Sequence, residues 1–261
     1  MSYLDFHNLV IAYALSAARI GAAFAICPAL TDSMISGTAR RVAVLSFATL
    51  VVPTVLADLP NVGLGPITLA ILAVKEVFIG TLLGFFGAIP FWIGENVGNF
   101  IDNQRGATMG EVYSPLSGTQ VSSTGILMTQ IVSTLFFVSG AILLFLGAIY
   151  ESYSLWPVFS GALKFQAAAP TVMLSTLDSM MQSAVVISAP AVILMFLCTV
   201  GLGLVNRTAP QLNVFFLSMP IKSAFGIAIL VLYLPFVMDM LIYTEESAIL
   251  NPVRKVLDAT R

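Results

Sequence analysis

Charge is scarce in this sequence. Only 9% of its 261 residues are Asp, Glu, Lys or Arg, where a soluble domain carries about 25%. With 58% of residues hydrophobic, the chain lacks the polar surface to cover a water-soluble fold. Histidine is almost missing: His7 stands alone, so neither a histidine-based metal centre nor a histidine triad can be assembled. Cys27 and Cys198 lie in separate apolar runs without CxxC spacing and read as small buried side chains. A net charge of −2 leaves no basic face for nucleic acid. No Walker loop occurs. Away from the run ends Asp239 is the one aspartate inside an apolar run, so an intramembrane aspartate pair is excluded too. Neither an enzyme nor a bound cofactor is expected.

What the chain does have is long apolar runs: residues 9–30, 42–59, 67–93, 125–150, 185–205 and 212–243. Crossing hydrocarbon takes about 20 apolar residues per helix, so the expected fold class is an all-α membrane protein of about six long helices with kinks and helical hairpins. The first run reads as a span rather than a leader, because residues 1–8 carry no Lys or Arg and Asp5 is acidic. Gly80, Gly84 and Gly87 let another helix backbone come close. Pro53 interrupts the second run, and Pro220 and Pro235 predict a kink or break in the last. Residues 151–182 are mixed and read as a re-entrant or interfacial piece. At Asn251-Pro252 a helix restarts, giving either a short amphipathic tail or a frayed end.

Three features sit badly with a self-sufficient bundle. Arg19, Lys75, Glu76, Lys222 and Asp239 fall inside the apolar runs, each costing roughly 2.5–3.5 kcal/mol at a helix centre. Adjacent Lys75 and Glu76 point about 100° apart and so each requires its own counter-charge or water. These charges either pair with other subunits or line an aqueous path, or they snorkel and pair within the chain. The second feature is topology. If all six runs alternate, Lys164, Arg254, Lys255 and Arg261 lie on one side and Arg40, Arg41, Arg105 and Arg207 on the other, and positive charge gives no orientation. The third is the polar insert 94–124. Val97, Phe100 and Ile101 keep helical spacing through residue 105, and the signal then collapses at Gly106, Gly110, Pro115 and Gly118. Such backbone does not face lipid. It is an exposed loop, or it lines a watery protein cavity, where Met109 and the small residues suit a deformable constriction.

Two motifs carry a resemblance. Asn206-Arg207-Thr208-Ala209-Pro210-Gln211 is a polar knot between the last two runs, reading as the tip of a helical hairpin because Pro210 disfavours helix there. With Asn213, Phe215, Pro220 and Lys222 it forms NR-x-APQ-x-N-x-F followed by MP-x-K. Upstream, Gly94, Glu95, Asp102, Gln104, Arg105 and Gly106 belong to GE-x-x-G-x-x-ID-x-QRG. Together these resemble the SctT/FliR/SpaR family of type III export apparatus proteins over nearly the whole chain, the injectisome branch more than the flagellar one.

The resemblance implies an R-subunit-like region at 1–182 that includes the insert, an S-subunit-like hairpin at 183–243 and an amphipathic tail at 244–261. It implies one subunit of a helical ring with R-type and S-type partners, next to U-type switch and V-type export gate proteins, at the base of a secretion machine in the bacterial inner membrane. Unfolded secretion substrates would pass through, and Gly106, Met109, Gly110, Tyr113, Pro115 and Gly118 would belong to a pore plug. The competing reading from the residues is a secondary transporter whose midplane site uses Lys75, Glu76, Lys222 and Asp239. The short chain and the absence of a visible repeat weigh against it.

Overall fold

The computed structural model describes residues 3–30, 35–58, 65–106, 122–160, 169–208 and 214–258, with side chains for 6–30, 35–58, 65–106, 122–160, 170–208 and 216–242. Among the described residues seven α-helices follow one another: α1 (Tyr3–Ile26), α2 (Gly37–Ala57), α3 (Pro66–Arg105), α4 (Ser123–Val138), α5 (Ala141–Leu155), α6 (Ala169–Thr208) and α7 (Val214–Asp258). A single 3-10 turn, Pro28–Leu30, follows α1, and no strand occurs among the described residues. Among the described residues five helices are long and apolar enough to cross a membrane, or six spans if α4 and α5 count as one broken span. The chain is the all-α membrane protein that its composition implies.

The helices form two compact units interleaved along the chain, residues 1–89, 140–176 and 245–261 in one, 90–139 and 177–244 in the other. In the first unit, small residues set the helix spacing. A Cβ on Gly80 of α3 would collide with the Arg19 carbonyl oxygen of α1, and one on Gly84 would lie 2.7 Å from the Ala23 carbonyl oxygen. The GxxxG stripe read from the sequence therefore brings two backbones of the same chain together. One turn on, Gly87 accepts the ring of Phe145 from α5, which would lie 2.5 Å from a Cβ there. Phe24 stacks on Phe145 at 6.5 Å between centroids and meets Phe47 of α2 edge-on at 5.9 Å.

The second unit repeats the device. A Cβ on Gly98 would strike the backbone of Gly125 at the start of α4, and one on Gly94 would lie 2.7 Å from Val132 Cγ2. Phe91 and Phe136 lock the same pair of helices with centroids 5.3 Å apart. Gly226 of α7 faces the Met195 sulfur of α6, joining the two arms of the expected hairpin.

Several boundaries differ from the sequence expectation. The third run and the start of the insert are one helix, since α3 continues through Gly94 to Arg105. The fourth run is two helices, broken at Ser139-Gly140, where Gly140 takes φ +79°. That conformation is open to glycine and strained for most residues. Residues 151–182 are not a separate interfacial piece, because α5 reaches Leu155 and α6 already begins at Ala169; Lys164 lies outside the described residues. Pro53 sits inside an unbroken α2, and α7 runs through Pro220, Pro235 and Pro252 without restarting at Asn251. Each proline removes one backbone bond, and long apolar helices tolerate that loss.

Replacing Gly84 with Leu should lower the unfolding midpoint of the detergent-solubilised protein by the equivalent of about 3 kcal/mol. Gly147→Leu, at a helical position with open space around it, should leave the midpoint unchanged or slightly raised; equal effects at both sites would refute the close approach.

Candidate functional site

Two polar constellations interrupt the apolar packing. The first fills the core of the first unit. Arg19 on α1 and Glu76 on α3 are both completely buried, and Arg19 Nε donates to Glu76 Oε2 at 2.6 Å. The remaining guanidinium edges donate to Ser152 Oγ at 3.0 Å and to the Trp156 carbonyl at 2.8 Å. The guanidinium lies 4.0 Å above the Tyr153 ring, and the Tyr153 hydroxyl donates back to the Ser16 carbonyl at 2.8 Å. Lys75 donates to the carbonyls of Pro157, Val158 and Ser160 at 2.6–3.0 Å, just past the end of α5. Those carbonyls mark the negative end of a helix, where a cation is favoured.

The expectation that Lys75 and Glu76 need separate counter-charges is corrected here. The Lys75 ammonium lies 3.4 Å from Glu76 Oε1 while its hydrogen bonds go to backbone oxygens. Side-chain length lets neighbouring residues on a helix converge where their Cβ vectors diverge. Of the readings left open, pairing within the chain holds for Arg19, Lys75 and Glu76. Lys75 and Glu76 are engaged by protein groups, which removes half of the transporter site. Lys222 and Asp239 make no ion pair among the described residues, and Asp239 is exposed on α7.

The second constellation closes the ends of the insert. Asp102 on α3 is buried. Its Oδ2 accepts from Ser122 Oγ at 2.6 Å and from the Thr124 amide at 3.0 Å, and its Oδ1 accepts from Thr124 Oγ1 at 2.5 Å and from Arg105 Nη2 at 2.8 Å. Ser122 is also the N-cap of α4, its Oγ accepting from the Gly125 amide at 2.9 Å. Gly106 ends α3 with φ +80°, the left-handed stop that glycine supplies at a helix C-terminus. Arg105 on one side of residues 107–121 and Ser122 and Thr124 on the other are thus held to one carboxylate.

Beside this clasp, a cavity of about 530 Å³ is lined by Asn103, Gln104, Arg105 and Gly106 from α3, Thr199, Leu202, Gly203 and Asn206 from α6, and Ser218, Met219 and Lys222 from α7. A smaller adjoining recess adds Pro220. Residues about 100 positions apart, from both motifs of the sequence, converge on one end of one unit. The profile of bacterial export proteins, family 1, matches residues 10–246.

The chain belongs to bacterial export protein family 1.

Among relatives, it is 37% identical to Yop proteins translocation protein T of Yersinia pestis over 249 residues, 94% of this chain and 95% of that protein. It is 29% identical to surface presentation of antigens protein SpaR of Salmonella typhimurium over 236 residues, 88% of this chain and 86% of that one. With flagellar biosynthetic protein FliR of Bacillus subtilis it shares 30% over 162 residues, 62% of each. The stronger likeness is to the secretion-system branch.

In this family 1 chain, Gly94, Asp102, Gln104, Arg105, Gly106, Asn206, Pro220 and Lys222 stand at or around the clasp and cavity. Glu95 points away, exposed on α3, and Arg207 is exposed in the last turn of α6 outside the cavity lining. Met109, Gly110, Tyr113, Pro115, Gly118, Pro210, Gln211 and Asn213 lie outside the described residues, as does the side chain of Phe215. Sequence reading missed Ser122, Thr124, Ser152 and Tyr153. Ser122 was within reach, since a serine before a long apolar run is an N-cap signal. Ser152 and Tyr153 carry no local signal, because their role is to meet a helix more than 130 residues away.

Glu76→Ala should cost about 3–5 kcal/mol by stranding the buried Arg19 charge. The measurement is the unfolding midpoint in detergent. The paired Arg19→Met/Glu76→Leu variant should recover most of the loss, and a double variant as unstable as the single one would show that the pair is not the unit of stability.

Proposed function

We infer that this family 1 protein is a structural and gating subunit of a type III secretion export apparatus, of the injectisome kind, and that its role is non-catalytic. Its family and the names of its relatives support the assignment to protein export. The observation that carries the gating role is the Asp102 clasp, which ties both flanks of the insert together beside the hairpin-tip cavity. An insert rich in glycine and small residues in its sequence, held at its base by one buried carboxylate, is suited to close a pore while its middle deforms around a passing chain. The plug so formed would comprise residues 106–122.

Half of the most apolar stretch of α3 is buried, against 22% in α6 and 17% in α7. Exposed Ile193, Phe196, Leu204, Phe216, Leu232 and Phe236 on those two helices need lipid or protein cover. R-type and S-type subunits in a ring would supply it, with region 1–182 acting as the R-like part and 183–243 as the S-like hairpin. Location at the inner membrane, contact with U-type and V-type proteins and passage of unfolded substrates belong to the same reading.

The experiment is co-purification with the proteins encoded beside it, followed by reconstitution into liposomes. One copy should sit in a larger ring, and the wild-type complex should be ion-tight. Deleting 107–121 should make it leak, and Asp102→Ala should leak to a smaller degree with unchanged assembly. An ion-tight deletion complex would sink the plug. A folded monomer that moves a small solute unaided would sink the export reading itself.

A further inference from the structure

Helix α3 changes partners part-way along its length. Up to Gly87 its small residues pack on α1 and α5: Gly80 on Arg19, Gly84 on Ala23 and Gly87 on Phe145. From Phe91 onward it packs on α4, through Phe91 on Phe136, Gly94 on Val132 and Gly98 on Gly125. The change falls between residues 87 and 91, and Pro90 lies there, inside the helix. Proline has no N–H to give the carbonyl four residues back, and its ring crowds that carbonyl. The ladder of α3 therefore lacks the bond from residue 90 to Phe86 at the point where the packing changes.

The break between α4 and α5 falls at the same division. Helix α4 packs on the second stretch of α3 and α5 on the first. Gly140 between them takes φ +79°, and a Cβ added there would meet nothing within 4 Å. The Ser139 amide closes α4 onto the Leu135 carbonyl, and the Leu143 amide opens α5 onto the Gly140 carbonyl. The chain thus passes between its two units at residues 89–90 and again at 139–140, once at a proline and once at a left-handed glycine. A third passage lies at 176–177 of α6. There the Ser175 and Thr176 hydroxyls both donate to the Val172 carbonyl, at 2.9 and 2.7 Å, and such back-bonding bends helices. The fourth, 244–245 in α7, is helical backbone. Prolines alone do not mark a passage, since Pro53 and Pro190 each lie within one unit. Pro90 differs because the packing changes across it.

The polar networks respect the same division. Arg19, Lys75, Glu76, Ser152 and the carbonyls past α5 all belong to the first unit. Asp102, Arg105, Ser122 and Thr124 all belong to the second. Rotation about residues 90 and 140 leaves every bond of both networks intact.

We propose that Pro90 and Gly140 form a hinge about which the second unit turns as one body, carrying the Asp102 clasp and the cavity beside it. A few residues at helix breaks suffice to absorb the dihedral change of such a motion. The hinge follows from packing within this chain and does not depend on the export role. In an export gate it would displace the insert without breaking the clasp that anchors it.

The test is double electron–electron resonance on the full-length protein in lipid nanodiscs. In a Cys198→Ser background, with Cys27 buried, spin labels at Leu143→Cys and Leu232→Cys, both exposed positions, report between the units. The pairs Leu50→Cys/Leu143→Cys and Ile126→Cys/Leu232→Cys report within the first and the second. The between-unit distance distribution should be broader than either within-unit one. Pro90→Ala, which restores the missing N–H, should narrow it to the within-unit width. Gly140→Ala, disfavoured at a positive φ, should shift its mean. Unfolding midpoints report folding; should Gly140→Ala misfold, Pro90→Ala still decides. A between-unit distribution as narrow as the within-unit ones would overturn the hinge, as would an unchanged width in Pro90→Ala. Within-unit distributions as broad as the between-unit one would mean that the units do not move as bodies, and would overturn it too.

Discussion

A guanidinium does not give up its charge, and Arg19 has no exposed surface. That constraint organises the first unit. Burying such a group without partners is prohibitive, whereas burying it with every edge satisfied is tolerable. Satisfying every edge requires Glu76 from α3, Ser152 from α5 and a carbonyl just past the end of α5, all at hydrogen-bond distance together. Those groups meet only if α1, α3 and α5 approach closely. Gly80, whose missing side chain makes room for the carbonyl of Arg19 itself, permits it. The charge and the glycine are two halves of one requirement. A larger residue at 80 would push α1 away, and the ion pair at its core would lengthen into a pair of poorly solvated charges. Charge in an apolar chain acts here as a specification of which helices touch, with net stability a secondary matter.

Asp102 plays the corresponding part in the second unit with the sign reversed. A buried carboxylate demands donors, and the donors come from the residues that open α4: a hydroxyl, an amide and another hydroxyl, joined by Arg105. Gly98 lets Gly125 come close enough for those donors to reach. The arrangement explains a sequence motif as geometry. Gly94, Gly98 and Asp102 recur every four residues and so share one face of α3, with Arg105 three further on and Gly106 to stop the helix. The spacing that looks like a family signature is the spacing needed to dock one helix and anchor one loop.

Much of the fold was legible because long apolar runs and a GxxxG stripe depend only on local sequence. The helical reading of 94–105 from Val97, Phe100 and Ile101 held for the same reason, and α3 carries it to Arg105. Boundaries were less legible where a single residue decides them. Gly140 ends one helix and begins another by its backbone alone, yet in the sequence it is one glycine in an apolar run. Prolines misled in the opposite direction, since Pro53 and Pro252 suggest breaks that the helices do not make. For the site, residue types and motif spacing were legible and partners were not. Arg19 reaches Ser152 across 133 positions, and Lys75 adds three carbonyls to the carboxylate beside it, partners that only the chain just past α5 makes available.

The two polar clusters also bear on why the positive-charge count gives no orientation. The rule weighs cations in loops and at span ends, where they face the membrane surface during insertion. Arg105 was counted there, yet, half-buried, it pairs with the buried Asp102, and the charges of the two cancel. Arg40 and Arg41 were counted on the same side, and they line a groove whose remaining surface is aliphatic. Arg41 and Arg207 are the plainly exposed cations of that set. A charge tally treats these four as equals, but only cations that stay solvated pull on the membrane potential and the anionic leaflet. With Arg105 paired, the positive charge left on that side is concentrated at the start of α2 and the end of α6.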